Sequence, residues 1–472
     1  MVRTAAAAWP LILAAWLLPS AAHAAVTDKG CAWLVEPTAD RENILYPEIT
    51  TRYLAAVIPA LPAGYVEIAG QYPHARYMSL QTYSTTLQSI SNLHDTQIQP
   101  DPGSSNPYLP GADRTVTARN YTVRVLFEQA PATNVPANTL YYDGTDPTHS
   151  GRTLVYRIYL PDSGTQPFGG VPPPTLTEVL PGGARVTIPT CPDPVPDTTF
   201  LTQELAAAGL SDYPLPPLGL FGQPVPAWHK YQNAAVSEVN ILTDNQILGA
   251  LTPPLAAVAG QLPAGFGENA DNKYVYSLVS HDYGNVVAFR AKLPTTPKTY
   301  AGENTMGGGQ LRFWSMCTGN LATQAYDCRV DKDMPLDADG MYTVAVSTAA
   351  DRPANATEAC GIAWLPWGPL VQAGVIMRNM LPDPGFPNPV QAATPGTEQQ
   401  TLGAYYPVGT YYASAQEFEQ KVGCHAPAVP ADSGGAAGAA DPASGGGGAF
   451  DPATLAALAA LARRRRRVQA RC

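Results

Sequence analysis

Charge is sparse in this chain, and the short signatures of catalysis are missing. Only 14% of its 472 residues are Asp, Glu, Lys or Arg, and only 7 are His. There is no G-x-S-x-G, which excludes the nucleophile elbow of an α/β-hydrolase. There is no H-E-x-x-H and no P-loop, which excludes the zincin helix and the phosphate-cradling loop. No C-x-x-C or closely paired His offers a zinc site. The apolar stretch near the C-terminus, Ala449 to Ala462, falls short of the roughly 20 residues that a membrane-spanning helix needs.

What is abundant is Pro (48), Gly (41) and Tyr (24). That composition favours short strands and many loops over long helices. A hydrophobic fraction of 45% still permits a sizeable core.

The two ends read as address labels. Arg3 precedes an apolar run through Trp9, Leu11, Ile12, Leu13, Trp16, Leu17 and Leu18, then the small-residue site Ala22-His23-Ala24. This is the pattern of a Sec-type signal peptide, residues 1–24, and is set aside in fold reasoning. At the other end a Gly/Ala/Pro/Ser-rich linker (425–448) leads to an apolar helix and arginines (449–472). The basic residues would stay cytoplasmic, so the tail reads as a transient membrane stop. Gly445 to Arg467 resembles the GlyGly-CTERM class of Gram-negative sorting signals, although its helix is richer in Ala. That resemblance implies a rhomboid-type sorting protease as partner and delivery to the periplasm, outer membrane or cell surface. The 28 Lys+Arg and 38 Asp+Glu of the chain become 21 and 37 without Arg3, the six tail arginines and Asp451, a net of −16. So acidic an exterior argues against nucleic acid as a partner.

Six cysteines lie in the exported body: Cys31, Cys191, Cys317, Cys328, Cys360 and Cys424. An even count in an exported protein implies disulfides. The preferred set is Cys31–Cys191 closing a first domain, Cys317–Cys328 stapling a hairpin, and Cys360–Cys424 tying the last segment back. A metal site is the competing use of these residues.

The body is repeated. At a shift of 221 residues Arg52-Tyr53-Leu54 falls on Lys273-Tyr274-Val275, Val66-Glu67-Ile68 on Val287-Ala288-Phe289, and Tyr121 to Val125 on Tyr342 to Val346. Arg157 to Asp162 falls on Arg378 to Asp383. Arg76 to Ser79 meets Arg312 to Ser315 at 236 instead, so the second copy carries 15 extra residues before that strand and the first carries 15 after it. A tandem duplication follows. Alternation at Val66/Ile68 and Tyr121/Val123/Val125 predicts strands. Glu48 to Ala60 and Asn272 to Val279 read as helical openings of the copies, and Val236 to Leu251 as a helix. The expected architecture is mainly β: two β-sandwiches of jelly-roll type, residues 25–191 and 234–424, with few short helices. A Pro-rich connector, 192–233, joins them.

Gly70 to Tyr77, Asp101 to Pro107, Leu336 to Gly340, Trp364 to Pro369 and Arg378 to Asp383 resemble a family of uncharacterised secreted bacterial proteins, over roughly residues 30–424. They are also similar to jelly-roll domains of unknown function with a D-x-D-G turn before a strand. Neither resemblance implies a catalytic residue.

Candidate sites are few. His74 and Arg76 could line a pocket at a strand end. Trp314 and Trp367 could offer stacking platforms for a flat ligand. Asp331, Asp333, Asp337 and Asp339 could wrap calcium with carboxylate oxygens, though the EF-hand spacing is absent. The dipeptides His94-Asp95 and His281-Asp282 point to opposite faces if on strands. The sequence therefore reads as an exported envelope or surface protein that binds an unknown ligand or partner. The alternative is a secreted hydrolase or metal-dependent enzyme, with a site around His74, Arg76 and Asp101 or between the domains.

Overall fold

Period-2 alternation sets the elements. In Tyr65–Gln71 the residues Val66 and Ile68 are buried while their neighbours are more exposed, and Asn120–Leu126 buries Tyr121, Val123 and Val125 in the same way. The structure is a computed structural model. It describes residues 31–424 except 35, 37–42, 44–45, 59–60, 62, 84–88, 143–151, 193–222, 233–235, 321–323 and, apart from 239, 240, 243, 257 and 260, 238–267. The signal segment, most of the connector and the C-terminal tail lie outside the described residues.

The first copy contains β1 (Thr51–Ile58), β2 (Tyr65–Gln71), β3 (Ala75–Tyr83), β4 (Ser89–His94), β5 (Asn120–Leu126), β6 (Thr139–Tyr141), β7 (Arg152–Pro161), β8 (Thr175–Val179) and β9 (Arg185–Ile188). The second contains β10 (His229–Lys230), β11 (Asn272–Ser280), β12 (Val286–Lys292), β13 (Leu311–Gly319), β14 (Ala325–Val330), β15 (Met341–Ser347), β16 (Ala363–Pro366), β17 (Gln372–Pro382) and β18 (Val408–Tyr412). Helices α1 (Glu398–Leu402) and α2 (Ala415–Val422) follow β17 and β18 respectively.

Each copy is a two-sheet sandwich, and the topology repeats. The order β1-β7-β3-β4 recurs as β11-β17-β13-β14, with β10 added at one edge. The order β6-β5-β2-β8, extended by β9, recurs as β16-β15-β12-β18. Strand starts match the two frames of the repeat: β2/β12 and β5/β15 at 221, β3/β13 and β4/β14 at 236. One pair in each copy, β5–β6 and β15–β16, is parallel. The sandwich therefore departs from the wholly antiparallel jelly roll.

Two expectations are corrected. The helical openings are strands: β1 pairs with β7 over all eight of its residues and β11 with β17 over nine. Cross-strand pairing and the inward set Leu54, Ala56 and Ile58 outweigh the helix propensity of the two alanines. The second domain begins before residue 234, because β10 joins its sheet and Trp228 is buried in its core, donating from Nε1 to the Pro407 carbonyl at 2.8 Å. Of the expected helix Val236 to Leu251, the positions 236, 237, 239, 240 and 243 are helical and the rest lie outside the described residues.

The sheets β1-β7-β3-β4 and β11-β17-β13-β14 face one another. This explains why β3 is buried on both faces. Met78 and Leu80 enter the first core, while Tyr77 meets Tyr159, Phe313 and Met380 between the copies. Tyr77–Tyr159 and Tyr159–Phe313 pack edge to face at 5.4 and 5.2 Å, the geometry aromatic quadrupoles prefer. The disulfides are Cys31–Cys191, Cys317–Cys328 and Cys360–Cys424, the expected pairing.

Candidate functional site

The junction between the copies uses the repeat itself. Asp95 and Asp331 follow β4 and β14 and are equivalent at a shift of 236, as are Arg76 and Arg312. Each carboxylate accepts a backbone N–H of its own copy: Met78 N to Asp95 Oδ2 at 3.1 Å, and Trp314 N to Asp331 Oδ1 at 3.4 Å. Each also meets the arginine of the other copy. Arg312 reaches Asp95 at 3.1 Å, and Arg76 reaches Asp331. The result is a reciprocal pair of buried ion pairs about a pseudo-two-fold axis. Burial pushes the Asp95 carboxyl above its ordinary range, against the opposing pull of Arg312.

Where the copies differ, they clasp each other. Most of the stretch between the Asp95–Gln97 turn and β5 belongs to the first copy alone, and most of that between β12 and β13 to the second. They meet at the bridge Asp113–Thr305. Gly111 N donates to Met306 O, Met306 N to Ala112 O, and Arg114 N to Asn304 O. Met306 is 2% exposed and packs in the core of the first domain. Arg114 grips Asp162 through Nη2 at 2.7 Å to both oxygens, while its Nη1 donates to the Glu303 carbonyl at 2.7 Å. Arg119 lies beside it, and its Nη2 donates to the Arg114 carbonyl at 3.2 Å. His74 adjoins both arginines. Burial first, then Arg119 and Arg114, lowers its pKa from 6.5 to about 4.

The candidate residues from the sequence are dispersed. Arg76 is spent on Asp331, Thr296 and Thr299. Asp101 accepts from Thr122. Trp314 and Trp367 are 1% and 0% exposed. Neither ring is a platform: Trp314 packs on Tyr342, and Trp367 stacks on His281 at 4.0 Å. Trp314 points inward by its register in β13, and Trp367 is buried just past the end of β16. Among the four aspartates Asp331 faces Arg76, Asp333 meets Lys332, Asp337 pairs with Arg290, and Asp339 donates its N–H to Asp337 in a turn. Among the described residues the grouping of metal-type ligands within mutual reach is Glu48, Cys317 and Cys328. Its sulfurs are joined in a disulfide and Glu48 is paired with Arg378, so no thiolate is on offer.

Sequence reasoning missed Arg114, Arg119 and Asp162. The signal was available: two arginines stand in a stretch that the repeat does not share.

Fold and junction together define a tandem two-sandwich protein whose copies are joined by exchanged contacts. No family model and no curated protein matches the chain. Among solved structures it is similar to an uncharacterised protein from Burkholderia cenocepacia, at 13% identity over 84% of this chain and 85% of that one, with a TM-score of 0.44. It is also similar to a Vibrio parahaemolyticus protein, at 13% identity over 78% and 90%, with a TM-score of 0.35.

Proposed function

We propose that this chain is an exported, envelope- or surface-associated binding or structural protein whose two sandwiches work as one rigid body. The observation that carries the reading is the reciprocal pairing of Arg76 with Asp331 and Arg312 with Asp95. Of the residues that the enzymatic alternative would draw on, Arg76 is committed to holding the copies together. Three disulfides support an oxidising compartment. Among the described residues no helix is long and apolar enough to cross a membrane. The signal peptide, the GlyGly-CTERM-like tail and its rhomboid-type protease belong to the same proposal and rest on the sequence.

Fractionation of the producing bacterium, with intact-mass measurement, tests it. Expected is an envelope or extracellular species beginning near Ala25, ending near the glycines 445–448, and carrying no free thiol. A cytoplasmic, reduced, full-length chain would sink the export reading. Exported material that retains Arg463–Cys472 would sink the sorting-tail reading. Stoichiometric metal, or a turnover lost on His74→Ala with the fold intact, would replace the binding reading with an enzymatic one.

A further inference from the structure

Arg119 carries its guanidinium into the interior with no acid hydrogen-bonded to it. The residue is 3% exposed, and its Nε and Nη1 have no hydrogen-bond partner. Its one hydrogen bond, from Nη2, goes to a carbonyl. The nearby carboxylate of Asp162 is already held through both oxygens by Arg114. Of the two acids near these arginines, Asp162 is taken by Arg114, and Glu303, which lies close enough to Asp162 to raise its pKa, leaves Oε2 buried without a hydrogen-bond partner instead of meeting Arg119. A buried charge left in that state is costly, and interiors normally supply it with a partner.

We infer that Arg119 is the anchor of an oxyanion-binding site, taking a carboxylate or phosphate group, built where the first copy's insertion meets the second. Nε and Nη1 provide two charge-assisted donors. His74 marks the approach: of Tyr108, Arg114, Asp162 and His74, which surround Arg119, His74 alone is partly exposed. The backbone there is tightly built, because a Cβ on Gly169 would lie 2.7 Å from Pro73 Cβ and 2.9 Å from His74 N. Its two arginines stand in a segment that the duplication does not share, so the protein has one such place rather than two although Asp162 has a counterpart in Asp383. The inference is independent of export, since a chain retained in the cytoplasm would bind the same ion.

The test uses the oxidised full chain, with inorganic phosphate and acetate as probes. The two ions separate phosphate from carboxylate chemistry. Expected is saturable binding of at least one ion at a single site. The bound charge should strengthen the proton affinity of the His74 ring roughly tenfold, as read by NMR titration of the imidazole. Arg119→Met should abolish both effects, and Arg119→Lys should retain part of the binding. If Arg119→Met fails to fold, the wild-type chain still decides: an ion-dependent rise in Tm together with the His74 response supports the site. No saturable binding of either ion, binding unchanged in a folded Arg119→Met variant, or a structure at high phosphate and acetate with only water or the Glu303 carboxylate against Arg119 Nε and Nη1, overturns it.

Discussion

Removing the Arg76 guanidinium tests whether the ion pairs hold the two sandwiches together. Arg76→Met keeps most of the aliphatic length and leaves Asp331 in the interior. The side chains of Arg76 and Asp331 are 2% and 3% exposed, so solvent screens little of the loss. Deleting one partner of such a pair costs about 3–5 kcal/mol, because the remaining charge stays buried without compensation. Asp331 retains Thr296 Oγ1 at 2.5 Å and the Trp314 N–H, which places the expected cost near the lower end, about 3 kcal/mol. Adding Asp331→Leu removes the stranded charge. The double variant should recover much of the loss, giving a coupling of about 2 kcal/mol. Equilibrium urea unfolding is the assay. Hydrogen exchange read peptide by peptide by mass spectrometry across the same urea series follows each domain's signal separately. In the wild type the two signals should move together; in Arg76→Met they should separate. A shift below about 1 kcal/mol, coincident transitions in the variant, or additivity in the double variant would refute the reasoning.

The other predictions concern the same junction and its staples. Arg312→Met strands Asp95, whose carboxyl is already raised by burial. A raised folded-state pKa means that the native state binds the extra proton, so stability falls as pH rises from the ordinary carboxylate value through the folded one; this variant should be less damaged at pH 5 than at pH 8 in urea midpoints. His74 has the opposite sign. With a folded value of about 4 against 6.5, the unfolded state binds more protons between those values, so stability is full above pH 6.5 and declines towards pH 4. Solvent screening of a half-exposed ring limits the loss to about 1–2 kcal/mol, and His74→Gln should flatten that part of the pH–Tm curve. Met306→Ala should cost about 2–5 kcal/mol and lower the stability of the first domain although the residue belongs to the second, as hydrogen exchange of first-domain peptides would register. Replacing both cysteines of a pair by Ala should destabilise in the order of the loop closed, about 5 kcal/mol for Cys31–Cys191, 4 for Cys360–Cys424 and 3 for Cys317–Cys328, measured by Tm.

Local pattern carried much of the architecture. Alternating Val, Ile and Tyr fix a strand because opposite faces of a sheet have opposite surroundings. The duplication was legible because framework residues such as Arg157/Arg378 and Arg76/Arg312 keep their spacing, and strand starts fall on those same two frames. Cysteine parity pointed to disulfides, and position along the chain was enough to choose the pairing. The β1 and β11 segments were misjudged because their strand character comes from partners about a hundred residues away, β7 and β17.

The sequence by itself determined the β class, the two copies and the oxidised staples, since each depends on short-range periodicity, repetition or count. Only the tertiary structure decided what the charges do. Arg76 meets Asp331 and Arg312 meets Asp95 across 255 and 217 residues, and nothing local distinguishes that crossed arrangement from pairing within a copy. Facing the two inner sheets brings the equivalent ends together and exchanges their partners. Packing within the second copy buries Trp314 and Trp367 in its own core, and the clasp between the copies sends Met306 into the neighbouring one. That clasp also buries Arg119 where the two insertions meet, with Nε and Nη1 lacking a protein partner.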